Sequence, residues 1–162
     1  MYENGINLEA ARRVASVLRL AAKRLLGADG VTFVFREGST CHYIDEEAIA
    51  PLWKGRRFPM AACVSGWVMS NAESVVIPDV FADPRVLHEA YRATFVKSMA
   101  MVPVGTPPFA AIGAYWASHH EATTNELEML QAMADSADLA VREALLAPQF
   151  DSSRFSGSSP AG

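Results

Sequence analysis

The sequence predicts an α+β domain in which helices from both ends of the chain cover one face of an antiparallel sheet of five or six strands. Two observations favour this fold class. Residues 8–26 and 124–146 repeat apolar side chains at steps of three and four positions, as amphipathic helices do. Between them, short stretches rich in β-branched and aromatic residues are joined by hairpin-type turns. A chain of 162 residues is expected to form one such domain.

The first helix is predicted over 8–26, where basic side chains occupy the face opposite the apolar stripe and Gly27 follows as a C-cap. Asp29-Gly30 turns the chain into a strand over 31–36, and residues 40–45 return as its hairpin partner. Residues 46–59 are expected to be irregular.

The later elements are expected in this order: a short helix over 65–71, a strand over 73–77, a loop with helical turns over 81–96, and strands over 98–104 and 109–116. Ser65 is the expected N-cap of the short helix. Thr123 and Glu126 form a capping box that opens the last helix over 124–146.

Composition and length predict the organisation of the chain. Residues 1–147 are expected to fold, and residues 148–162, rich in serine, glycine and proline, to be disordered. A formal net charge of −4 argues against a nucleic-acid partner. The start of the chain lacks a secretory pattern, and no apolar stretch reaches the roughly 18 residues of a membrane span. We therefore expect a cytoplasmic protein without a membrane partner.

The two cysteines and four histidines are not spaced as a catalytic or metal site. Cys41 and His42 are neighbours in a predicted strand, so their side chains should point to opposite faces and not form a thiolate–imidazole pair. Cys63 is interpreted as a small buried hydrophobe. Close-spaced zinc ligands and glycine-rich phosphate loops are absent from the sequence. We expect no catalytic residue and no metal site.

Several strings of the sequence resemble the GAF domain, a small-molecule-sensing module of signalling proteins. They are Ser-Gly-Trp-Val-Met at 65–69, Val-Val-Ile-Pro-Asp-Val at 75–80, Asp-Pro-Arg at 83–85, and the strand-like runs at 95–104 and 111–116. The resemblance covers about residues 8–146 and is nearest to the GAF domains of bacterial sensor histidine kinases. It implies a GAF-like, PAS-related sheet with the terminal helices on one face and a pocket-forming helix and loop on the other.

In that family a ligand pocket lies between the sheet and the middle loop, so the resemblance implies that residues 58–96 bind a small molecule of unknown identity. The candidate ligand-binding residues are Phe58, Trp67, Asp79, Phe81, His88, Tyr91 and Phe95. Buried aromatic side chains also fill most protein cores, so core packing is the alternative role of the aromatic members. If side chains already pack the interior beneath Trp67 and His88, a scaffold with a filled pocket is favoured.

The resemblance implies a non-catalytic sensory or regulatory domain of bacterial two-component signal transduction, with a histidine kinase or its output domain as partner. No phosphoacceptor box or nucleotide-binding region occurs in the sequence, so we expect no kinase activity. Two alternatives stay open. One is a thiol enzyme similar to the free methionine sulfoxide reductases, although their matching loop carries more cysteines than this chain has.

The other alternative is a photosensor that binds a pigment without a covalent bond. His88 matches the histidine that packs against the bilin in phytochromes. Leu87 stands where the bilin-bonding cysteine lies in that family, which excludes covalent attachment there. The cofactor, if there is one, is unknown.

Assembly as a homodimer is expected through the two terminal helices. In the last helix, two series repeat every seven residues, as in a coiled coil: Leu127, Ala134 and Val141, and Leu130, Ala137 and Ala144. The first helix offers small residues for close helix approach at Ala10, Ala11, Ala15, Ala21 and Ala22. Packing of the same stripes on the chain's own sheet is the alternative.

Overall fold

The helices and strands come from a computed structural model, which describes residues 2–3 and 6–146. The elements are β1 (Tyr2–Glu3), β2 (Ile6–Asn7), α1 (Leu8–Leu26), β3 (Gly30–Glu37), β4 (Thr40–Ala48), β5 (Arg57–Pro59), α2 (Val64–Asn71), β6 (Val75–Ile77), α3 (His88–Tyr91), β7 (Ser98–Val104), β8 (Ala110–Trp116) and α4 (Thr124–Leu146). The tail expected at 148–162 lies outside the described residues.

Six strands form one sheet in the order β5-β4-β3-β8-β7-β6, and every neighbouring pair is antiparallel. β1 and β2 pair separately at the start of the chain. The predicted α+β class, with an antiparallel sheet of five or six strands, is confirmed. Among the described residues, no helix combines the length and apolar character that crossing a membrane requires.

Side chains alternate between the two faces of the sheet, and each face builds its own core. In β8, Ile112, Ala114 and Trp116 pack with α1 and α4, whereas Ala111 and Tyr115 pack on the side of α2. The terminal helices therefore cover one face, and the middle of the chain covers the other. This division places the candidate residues Phe58, Trp67, Tyr91 and Phe95 opposite α1 and α4.

All members of the two seven-residue series of α4 except Ala144, which is exposed, pack on the chain's own core. Leu130, Ala134, Ala137 and Val141 are buried in one cluster with the α1 alanines Ala10, Ala11, Ala15 and Ala22. A helix packed on a sheet and a helix in a coiled coil require similar apolar spacing. Packing in the chain's own core therefore explains these buried residues without helix association between copies. A charge at Ala137 would enter this core, so it would disturb the fold itself.

The expected irregular segment 46–59 is partly strand. β4 continues to Ala48, opposite Gly30 of β3, and β5 pairs Phe58 with Cys41. Three residues that include a proline give too little pattern to predict an edge strand. Between these strands, the Glu46 carboxylate accepts hydrogen bonds from the backbone N–H groups of Leu52, Trp53 and Lys54 at 2.8 Å each.

The expected N-terminal cap is present in α4 but not in α2. The Thr123 hydroxyl accepts from the Glu126 N–H at 3.1 Å, and the Glu126 carboxylate accepts from the Thr123 N–H at 2.9 Å. This confirms the capping box of α4. Ser65 is not the N-cap of α2, which begins at Val64 after Cys63. The Ser65 hydroxyl instead points into the core, 3.2 Å from the Tyr43 hydroxyl.

Candidate functional site

The interior beneath α2 and α3 is filled by aromatic side chains. Trp53 is 2% exposed and lies at the centre, with ring centroids 4.6 Å from Tyr91, 5.3 Å from Tyr115 and 5.6 Å from Tyr43. Its indole N–H donates to the Ala90 carbonyl at 2.8 Å. The space left among these rings is only about 10 Å³. A ligand of metabolite size therefore has no room in this interior.

An open cleft lies above this filled interior, between α2 and residues 84–89. Its volume is about 590 Å³. The α2 side is formed by Met60, Ala61, Ala62, Cys63, Gly66, Trp67, Ser70 and Asn71. Volumes of roughly 300–1,000 Å³ with apolar walls and a few polar groups are typical of small-molecule sites.

The polar wall of the cleft is held rigid by Asp83 and Arg85. The Arg85 guanidinium donates to both Asp83 carboxylate oxygens, at 3.0 and 2.7 Å, and lies 4.6 Å from the centroid of Trp67. These hydrogen bonds hold the pKa of Asp83 below its usual value. The His88 Nε2 atom is 3.0 Å from the Asp83 carbonyl oxygen. The cleft wall thus holds a fixed Arg85–Asp83 ion pair stacked on the Trp67 ring.

The candidate ligand-binding residues separate into three groups. Trp67 and His88 line the cleft, and Phe81 packs against the His88 ring at 5.7 Å. Phe58 and Tyr91 belong to the filled interior. Their roles as ligand contacts stay a prediction.

The other two candidates lie away from the cleft. The Asp79 carboxylate accepts from the Phe81 N–H at 3.1 Å and caps the short 3-10 turn at 80–82. Phe95 is half-buried at the edge of the interior core, on the side of Leu52 and Gly30.

The thiols of Cys41 and Cys63 lie in contact beneath the cleft. The spacing of the two cysteines in the sequence did not predict this contact. The Sγ atoms of Cys41 and Cys63 lie 3.5 Å apart, and both thiols are free. Cys41 is at the start of β4, and β5 with the 3-10 turn at 60–62 brings the chain back so that Cys63 lies above it. Their sequence separation of 22 residues carries no signal of this contact.

Gly66 permits the close approach that completes this arrangement. A Cβ atom at this position would lie 1.8 Å from the carbonyl oxygen of Met60, well inside van der Waals contact. Only glycine therefore allows α2 to pack this tightly on the 3-10 turn at 60–62. The glycine of the Ser-Gly-Trp string is the sequence signal for this contact.

The two thiols differ in acidity because they share one hydrogen bond. The contact with Cys41, the Ser65 hydroxyl at 3.3 Å and the backbone N–H of Gly66 lower the pKa of Cys63. The same contact and burial raise the pKa of Cys41. As expected, Cys41 does not pair with His42, whose Nδ1 atom lies 2.5 Å from the Glu37 carboxylate. Among residues 2–3 and 6–146, no three His, Cys, Asp or Glu side chains cluster as metal ligands.

Comparison with known proteins gives one family and several similar structures. The family model described as GAF domain matches residues 11–142. A search of curated proteins found no match. The GAF domain of PixJ from Thermosynechococcus elongatus, in its blue-light absorbing form, is 15% identical with a TM-score of 0.73, covering 93% of this chain and 94% of that one.

Two further structures show the range of proteins that share the fold. The GAF-B domain of DevS from Mycobacterium smegmatis is 17% identical with a TM-score of 0.68, covering 91% of this chain and 99% of that one. A type II free methionine-R-sulfoxide reductase from Thermoplasma acidophilum is 19% identical with a TM-score of 0.67, covering 83% and 96%. At these identities the likeness concerns the fold.

Proposed function

Because this chain belongs to the GAF domain family, we propose that it is a non-catalytic sensory or regulatory domain that binds a small molecule in the cleft between α2 and residues 84–89. The observation that carries this proposal is the cleft itself, which has the volume of a ligand site and a polar wall fixed by Asp83 and Arg85. The interior around Trp53, where the sequence predicted the ligand, is filled by side chains. We therefore propose the cleft outside it as the binding site.

The signalling context of the proposal is bacterial two-component transduction, with a histidine kinase or its output domain as partner and the cytoplasm as location. The resemblance of residues 65–104 to GAF domains of sensor histidine kinases supports this context. Neighbouring folds that include a photoreceptor domain and the DevS domain agree with a sensory role. The domain boundary at residue 147 stays a prediction.

Ligand binding in the cleft is tested by native mass spectrometry and an absorption spectrum of freshly purified protein, followed by a screen of small aromatic and anionic metabolites. We expect a bound compound whose affinity falls at least tenfold in Trp67→Ala, because the indole forms the aromatic wall of the cleft. Ile49→Ser, an exposed apolar position that does not line the cleft, is the control and should bind normally.

A protein that retains no compound and binds none from the screen would contradict the cleft proposal. Binding that is equal in Trp67→Ala and Ile49→Ser would place the ligand elsewhere. A visible absorption band that persists through purification would support the non-covalent pigment alternative, with His88 in the cleft as its contact.

A thiol enzyme of the methionine sulfoxide reductase type is the second candidate, and one observation favours it. The Cys41–Cys63 pair lies at the cleft, and free methionine-R-sulfoxide reductases share the fold. Turnover of free methionine sulfoxide with a dithiol reductant, lost in Cys63→Ser, would favour the enzyme. A ligand bound without turnover would favour the sensor.

A homodimer through α1 and α4 remains part of the proposal, but with the outer faces of these helices as the contact surface. Val17, Leu25 and Leu139 are 77%, 63% and 60% exposed, and Leu20 is also exposed. Exposed large apolar side chains are candidates for an association site. We therefore place the dimer contact on these four residues and not on the buried seven-residue series.

Light scattering of Val17→Glu and Leu139→Glu tests the dimer. We expect the mass to fall to that of one chain while the circular dichroism spectrum keeps its folded form, because both side chains are exposed and a charge there disturbs only the contact between copies. Phe81→Glu, an exposed apolar position on the other face, should leave the dimer intact. An unmodified chain that is monomeric at high micromolar concentration would contradict this part of the proposal.

A further inference from the structure

The thiol pair is asymmetric, and this asymmetry suits a redox reaction with two successive steps. Cys63 is 8% exposed and lines the cleft, so a small molecule in the cleft reaches its sulfur first. Cys41 is fully buried behind it, with its Sγ atom 3.5 Å from that of Cys63. Cys63 is therefore placed to react with a small molecule from the cleft, and Cys41 is placed to react with the oxidised Cys63.

Cys63 has the environment of a reactive thiol. It is the residue that precedes α2, whose dipole favours a negative charge at this end, while the neutral thiol donates to the Pro59 carbonyl oxygen at 3.4 Å. The Ser65 hydroxyl, 3.3 Å from Sγ, and the Gly66 N–H supply further stabilisation of the thiolate. These contacts lower the pKa of Cys63, whereas the pKa of Cys41 is raised and its thiol stays protonated before the second step.

We propose that this domain reduces hydroperoxides at Cys63 and stores the oxidation as an internal disulfide between Cys63 and Cys41. The Cys63 thiolate attacks one oxygen of the hydroperoxide. The O–O bond breaks, the alcohol leaves with a proton, and Cys63 becomes a sulfenic acid.

The second step closes the disulfide. The Cys41 sulfur then attacks the Cys63 sulfur, the S–O bond breaks, and the departing hydroxide takes the Cys41 proton as water. Two thiols and one hydroperoxide thus give one disulfide, one alcohol and one water, and a dithiol reductant reverses the change. This reaction does not depend on the identity of the ligand proposed for the cleft, although both use the cleft that Cys63 lines.

Formation of the disulfide requires a short movement that the structure permits. The two sulfurs must approach from 3.5 Å to a bond length of about 2.05 Å. Cys63 stands at the junction of the 3-10 turn at 60–62 with α2. Closure of the bond draws this junction toward β4, and the cleft changes shape because Met60, Cys63 and Gly66 all line it.

The experiment treats the fully reduced chain with hydrogen peroxide or cumene hydroperoxide and counts thiols after denaturation. The chain has only these two cysteines, so the thiol count reports on this pair alone. We expect the count to fall from two to zero with one equivalent of hydroperoxide, with the mass lowered by two hydrogens and no link between chains. In Cys41→Ser, a sulfenic acid should accumulate and be trapped by dimedone.

Cys63→Ser should react at least tenfold more slowly, because the remaining thiol is buried and protonated. Ser65→Ala keeps both thiols and should slow the first step, while Ser74→Ala, an exposed serine that does not line the cleft, should not. If the cysteine variants do not fold, the pH dependence of the unmodified chain decides: its oxidation rate should rise through a pKa below that of an ordinary thiol.

Four results would overturn the inference. Two free thiols that persist in excess hydroperoxide would exclude the reaction, and a disulfide between chains would exclude its internal form. Equal rates in Cys41→Ser and Cys63→Ser would remove the asymmetry. Oxidation of the pair by methionine sulfoxide but not by hydroperoxides would support the reductase alternative in place of this one. Ligand binding in the cleft is tested separately, because it is measured with both thiols reduced.

Discussion

Trp53→Ala is expected to lower the free energy of unfolding by about 4 kcal/mol, in the range for large aromatic side chains removed from a core. Trp53 is almost fully buried among three tyrosine rings, so its removal leaves a void that the neighbouring side chains cannot close. The Ala90 carbonyl also loses its hydrogen bond from the indole. Urea denaturation followed by circular dichroism measures the change.

Trp53→Phe is the matched control for this prediction. It keeps an aromatic ring and loses the N–H group, so the loss of stability should be clearly smaller. Added indole should restore part of the stability of Trp53→Ala, because a ligand that binds only the folded state stabilises it. A loss below about 1 kcal/mol in Trp53→Ala would show that the interior is loosely packed and open to a ligand after all.

Gly66→Ala is expected to lower the free energy of unfolding by about 3 kcal/mol, at the upper end of the usual cost of overpacking. The new methyl group would lie 1.8 Å from the Met60 carbonyl oxygen, and backbone cannot move aside as a flexible side chain does. The N-terminal turn of α2 must shift to relieve the contact. We expect this shift to separate Cys63 from Cys41 as well.

Urea denaturation also measures this second change, with Ser70→Ala as control on the exposed face of the same helix. Ser70→Ala should stay within about 0.5 kcal/mol of the unmodified chain. If Gly66→Ala is as stable as this control, then α2 does not pack as closely on the 3-10 turn as the Met60 contact indicates.

The sequence predicts what depends on local pattern. The bounds of α1 and α4 follow from long apolar periodicity and clear end signals, such as Gly27 and the Thr123–Glu126 capping box. β5 was not predicted, because three residues at a sheet edge are defined by their partner strand and carry little pattern of their own. The extension of β4 to Ala48 depends likewise on its pairing with β3.

The candidate site depends on contacts between distant parts of the chain, and there the prediction is incomplete. Trp53 fell in a segment expected to be irregular, yet it occupies the space in which a ligand was expected. Cys41 and Cys63 have no spacing that marks them as neighbours. The stripe on α4 was ambiguous, since Ala137 would be buried both in a coiled coil and on the chain's own sheet, and the structure shows the latter.

The two edge strands of the sheet disfavour aggregation between copies of the domain. β5 and β6 are the edge strands, and each is only three residues long. β5 also carries the charged Arg57 and ends in Pro59, which has no N–H to donate to an incoming strand. Short, charged or proline-bearing edges offer few unpaired backbone groups to a strand of another molecule. These two edge strands therefore offer little for a sheet of another copy to join.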